Sequence, residues 1–67
     1  MNRYLLEYEL KTHNLTKEDF AKVLEIDKVT LYRKLNGSSD FTRSEIQKAK
    51  EKLNLTSEQL DSIFFGC

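Results

Sequence analysis

An all-α domain of five short helices is what this 67-residue sequence predicts, and three observations carry that expectation. The chain has no proline and only two glycines, Gly37 and Gly66, so little interrupts a helix. Its apolar residues recur at three- and four-residue spacing, with no run that alternates apolar and β-branched with polar. A helix-start cassette also repeats along the chain. Leu15-Thr16-Lys17-Glu18-Asp19-Phe20, Phe41-Thr42-Arg43-Ser44-Glu45-Ile46 and Leu55-Thr56-Ser57-Glu58-Gln59-Leu60 each set a threonine after an apolar residue. Each then places an acid or amide three residues on and a second apolar residue after that, which is a capping box inside a hydrophobic staple. Ile26-Asp27-Lys28-Val29-Thr30-Leu31 is a looser copy without the reciprocal acid.

The first helix is expected over about Arg3 to His13, with Leu6 and Leu10 one turn apart on its inner face. Asn14 stands where it should stop, because asparagine tolerates the left-handed backbone. His13, the only histidine, is expected to meet the last carbonyls of that helix. The second helix opens at Thr16 and turns Phe20, Val23 and Leu24 inward, with Ala21 small enough to admit a neighbour. Asp27 opens the third, where Leu31 and Leu35 share the buried side and Lys28, Val29, Tyr32 and Arg33 share an exposed one. Residues 16–35 therefore read as two helices joined by a tight turn, a helix-turn-helix. Both are too short to stand alone and must pack on the rest of the chain. The fourth helix, about Arg43 to Leu53, buries Ile46, Ala49 and Leu53 and stops at Asn54. The fifth, about Ser57 to Phe64, carries Leu60, Ile63 and Phe64, and Phe65 extends its apolar patch.

Composition narrows the function. One domain spanning residues 1–67 sits near the lower size that folds without staples, and 39% apolar residues suffice for one core if the helices are efficiently patterned. A single cysteine, Cys67, leaves no internal disulfide and fits a reducing compartment. No apolar run approaches membrane-spanning length, and the opening MNRYLLEYEL is too charged for a signal peptide, so a cytoplasmic protein without a membrane partner is expected. One histidine near a helix end and one cysteine offer neither a catalytic triad nor a metal cluster, and there is no glycine-rich phosphate loop. No cofactor and no catalysis are expected. Net charge is zero but unevenly spread: residues 28–50 hold six basic and two acidic side chains, a local +4. Local field rather than total charge steers a phosphate backbone.

The stretch LTKEDFAKVLEIDKVTLYRKLNG resembles the phage Cro/repressor type of helix-turn-helix, the XRE-like family. The likeness continues through FTRSEIQKAKEKLNLTSEQLDSIFF and covers about Leu15 to Phe65, close to small regulators of Gram-positive phages and prophages. Ala21, Ile26 and Leu31 match the family's small and buried positions. Two positions depart. Glu25 stands where the turn usually has glycine, which predicts a positive φ there. Lys34 stands where the late apolar anchor usually lies, so Leu35 is expected to take that task.

The resemblance implies a compact, lambda-repressor-like domain that binds double-stranded DNA, a repressor on a pseudo-palindromic operator in a bacterial host cell. It implies that Lys28, Val29, Tyr32 and Arg33 face the major groove: Arg33 toward guanine, Lys28 toward guanine or phosphate, Val29 toward a thymine methyl, Tyr32 toward either. Thr16 and Lys17 would hold backbone phosphate at a helix start. Asn36, Ser38, Ser39 and Thr42 would reach the other side of the groove. Plainer roles stand beside these: surface charges are ordinarily solvated, and Thr16 and Thr42 already have capping tasks. Ile63, Phe64 and Phe65 are candidates for a homodimer seam, which a two-fold DNA site requires. They are equally candidates for core, or for a surface that takes a regulatory protein partner, as in an antirepressor or antitoxin-like protein.

Overall fold

The structure, a computed structural model, describes residues 1–66; Cys67 lies outside the described residues. It is all-helical: α1 (Arg3–Thr12), α2 (Lys17–Leu24), α3 (Lys28–Leu35), α4 (Arg43–Leu53) and α5 (Ser57–Leu60), with α5 running on into a π-helical turn, Asp61–Phe65. The described residues contain no strand and fill about 28 × 24 × 20 Å.

Each start is built by the residues that the cassette names. The Thr16, Thr42 and Thr56 hydroxyls accept from the amides of Asp19, Glu45 and Gln59, each at 3.1 Å. The side chains of those partners accept in return from the threonine amides, so two orphan N–H groups are satisfied at each start. Asp27 accepts from Thr30 N–H at 2.7 Å without a reciprocal bond. Asn2, not anticipated as a cap, accepts from Leu5 N–H and opens α1.

The stops are equally regular. Asn14, Glu25, Gly37 and Asn54 all have positive φ, at 56°, 61°, 85° and 50°. After each, the next amide reaches back five residues: Leu15 to Leu10 O, Ile26 to Ala21 O, Ser38 to Arg33 O and Leu55 to Lys50 O, at 2.8–3.0 Å. That is the Schellman closure, and it satisfies carbonyls that the helix end would otherwise leave open. Glu25 takes the left-handed conformation that its place in the turn predicts, and its carboxylate is paired with Lys48 of α4. His13 Nδ1 lies 2.9 Å from Glu9 O at the end of α1, as expected.

The core gathers Leu6 and Leu10 of α1, Phe20, Ala21 and Leu24 of α2, and Leu31 and Leu35 of α3. It is completed by Ala49, Leu53, Leu55, Ile63 and Phe64. Helix α2 packs on both α3 and α4, and α1 packs on the π-helical turn, where Asn2 N–H donates to Ile63 O at 2.6 Å. Val23 and Ile46, expected to face inward, are only half-buried, and Ile46 still packs against the core. The fifth helix is also not uniform. Its last five residues widen to a π turn that sets Ile63 and Phe64 inside and Phe65 outside. Gly66 follows so closely that a Cβ there would meet Ser62 O at 2.9 Å.

Candidate functional site

Helix α3 turns two unlike sides to its surroundings. Leu31 and Leu35 enter the core, while Lys28, Val29, Tyr32 and Arg33 are exposed, as helical spacing predicts. Val29 is 59% exposed, an apolar side chain outside the core. Lys28 Nζ stands 5.9 Å from the centre of the Tyr32 ring and 3.6 Å from Glu18 Oε1. Both members of that ion pair are more than half exposed, so it contributes little and leaves the ammonium available. Arg33 has no ion-pair partner among the described residues.

Lys34 differs from its expected role. It is not a surface charge adding to the local positive field: it is 8% exposed, and its ammonium donates to Glu45 Oε1 and to Asp40 O, each at 2.9 Å. The ammonium also lies 5.8 Å from the centre of the Phe41 ring. Burial alone would push the Glu45 carboxyl up, but Lys34 and the Thr42 N–H hold it below the usual carboxylate range. The anchoring that the sequence assigns to Leu35 alone is thus shared with a charged pair. The pair cancels itself, so the excess charge of residues 28–50 rests on Lys28, Arg33, Arg43, Lys48 and Lys50. Lys48 in turn is paired with Glu25.

The remaining candidates surround α3 with uneven freedom. Thr16 and Thr42 are exposed but committed to their capping boxes. Ser38 and Ser39 are exposed in the loop that Lys34 ties down through Asp40. Asn36, the last residue capping α3, accepts from Arg3 Nη1 at 2.7 Å. Lys17 Nζ lies 3.3 Å from Glu7 Oε2, the oxygen that also accepts from Arg3 Nε at 2.8 Å. Arg3, Glu7, Lys17 and Asn36 thereby join the starts of α1 and α2 to the end of α3. The Arg3–Glu7 pair is readable from its i, i+4 spacing, but Arg3 meets Asn36 across 33 residues, which nothing in the sequence signals. Arg43 was also passed over. It is exposed at the first position of α4, without an ion-pair partner among the described residues. A cation at the positive end of a helix is electrostatically out of place, and that is a readable sign of another task.

Of the three residues that are candidates for seam or core, Ile63 and Phe64 lie in the core. Phe64 packs edge-on to Phe41 with ring centres 5.3 Å apart. Only Phe65, 64% exposed, is left on the surface, at the rim of an open cleft of about 550 Å³ that Met1, Leu35, Phe41 and Phe64 help to line. Among the described residues no group of three His, Cys, Asp or Glu side chains could hold a metal ion. No described helix is long and apolar enough to cross a membrane. The chain matches no protein-family model, no curated protein and no solved structure.

Proposed function

We propose that the protein is a sequence-specific regulator that binds double-stranded DNA, with α2 and α3 as a helix-turn-helix of the lambda-repressor-like, Cro/repressor type. The observation that carries this reading is the two-sided character of α3. One side is locked by Leu31, Lys34 and Leu35, and the other exposes Lys28, Val29, Tyr32 and Arg33. A helix held rigidly and left chemically mixed on its outer face is what base-edge readout needs: donors for guanine and an apolar contact for a thymine methyl. Arg43 joins Ser38, Ser39 and Thr42 as a candidate for the phosphate side. The protein works without catalysis or cofactor, in a bacterial cytoplasm, as a homodimer on a pseudo-palindromic operator.

Selection of bound duplexes from a random library supplies the operator, and Arg33→Ala tests the reading. The variant loses roughly 1–3 kcal/mol on that operator and flattens preference at one base position per half-site. Full sequence preference in Arg33→Ala rejects α3 as the reading helix. A second reading, a protein-binding regulator, draws on the exposed aromatics Tyr4, Tyr8 and Phe65. It takes over if the protein binds no duplex at low salt, where counterion release makes DNA binding strongest.

A further inference from the structure

Lys17, expected to grip the DNA backbone, already shares an anion of the protein's own with Arg3. Glu7 Oε2 accepts from Arg3 Nε at 2.8 Å and lies 3.3 Å from Lys17 Nζ. The other arm of the Arg3 guanidinium holds Asn36, so one carboxylate oxygen sits where α1, α2 and the end of α3 converge. A phosphodiester oxygen has the same charge and accepts the same donors. The three side chains keep about a third of their surface in water, 39% for Arg3, 35% for Lys17 and 32% for Glu7, so an outside anion can reach them. Ion pairs this exposed are worth little. Displacing Glu7 is therefore cheap.

We propose that Glu7 is a built-in competitor for the DNA backbone, occupying Arg3 and Lys17 in the free protein and giving them up to a phosphate on binding. This rests on the DNA-binding reading above. Phosphate contacts position a protein without reading sequence, so the competition weakens gripping. Among the described residues Arg33 forms no ion pair, and its contribution stays whole. Glu7 thus lowers the sequence-independent share of affinity and leaves occupancy to depend more on the base contacts.

The test measures affinity for the selected operator and for a random-sequence duplex, at several salt concentrations. The proteins are wild type, Glu7→Gln, Glu7→Asp and Lys17→Ala, the last in both the wild-type and Glu7→Gln backgrounds. Glu7→Gln tightens binding to both duplexes by roughly fivefold, the scale of exposed ion pairs. Glu7→Asp keeps the charge but shortens its reach, so it also tightens binding, by less. Lys17→Ala costs several-fold more affinity in the Glu7→Gln background than in wild type, because only there is the ammonium free beforehand. Thermal melts confirm that each protein is folded at the assay temperature, and Glu7→Asp keeps the test intact if Glu7→Gln is not. Unchanged affinity in both Glu7 variants, or an equal Lys17→Ala cost in both backgrounds, overturns the competition while leaving DNA binding in place. Tighter binding by Glu7→Gln with none by Glu7→Asp reduces Glu7 to a distant charge and also overturns it. Failure of the wild type to bind any duplex at low salt removes the DNA-binding reading itself.

Discussion

The Lys34 ammonium lies 2.9 Å from Glu45 Oε1, with both residues only 8% exposed, so a charged pair rather than an apolar contact joins the end of α3 to the start of α4. The same ammonium takes Asp40 O, and the same carboxylate caps Thr42 N–H. Removing one partner strands the other, and that is the costly outcome for a buried pair.

Lys34→Ala should therefore destabilise the protein by about 3 kcal/mol in urea unfolding. Lys34→Met keeps the aliphatic stem against Phe41 and should recover only the smaller, packing part of that loss. Full recovery in Lys34→Met would show that the pair itself contributes nothing.

Acid should loosen the same junction. The Glu45 carboxyl titrates below its usual range, and so does Glu7, held down chiefly by Arg3. A carboxyl whose folded value is depressed adds stability above its unfolded value and loses it as pH falls through the folded one. Unfolding free energy should thus decline as pH falls from about 5 through the lowered titrations of these carboxyls. Glu45→Gln should start less stable and show a shallower decline. An equally steep decline in that variant would place the acid sensitivity elsewhere.

The turn between α2 and α3 holds a non-glycine residue at φ 61°. Glu25→Gly and Glu25→Ala both remove the carboxylate that pairs with Lys48, so comparing them isolates the backbone. The glycine variant should be the more stable by about 1 kcal/mol, since left-handed geometry penalises any Cβ. Equal midpoints in chemical denaturation would mean that the turn relaxes.

Phe65 is the one member of its apolar trio that the fold leaves outside. Sedimentation of wild type should show a concentration-dependent dimer, and Phe65→Ser a monomer of nearly unchanged stability, within about 0.5 kcal/mol for a surface change. Monomers in both, with operator duplex present, would dismiss this seam.

What could be read from the chain beforehand follows the range of each interaction. Helix starts at Thr16, Thr42 and Thr56, and stops at Asn14, Glu25 and Asn54, are written within a few residues of where they act, so the sequence shows them directly. The exposed face of α3 was legible for the same reason, because helical spacing assigns Lys28, Val29, Tyr32 and Arg33 to one side. Burial of Lys34 was not, since its partner Glu45 belongs to another helix and its second acceptor is a backbone carbonyl. Nor was the Arg3–Asn36 bond, which exists only once the chain has closed on itself. The π turn at Asp61–Phe65 escaped too: it separates Phe65 from Phe64 and Ile63, where a regular pattern lets all three pass for one patch.

The Schellman closures also bear on how fast the protein reaches this structure. Each is completed between residues five apart, and each capping box between residues three apart. Helix boundaries can therefore be marked while the chain is still open, before any distant contact is made. Little loop-closure entropy must be spent in advance, and helical domains of such local connectivity fold in microseconds to milliseconds. The closure that spans most of the chain is that of Asn2 on Ile63, which brings the two ends of the described chain together.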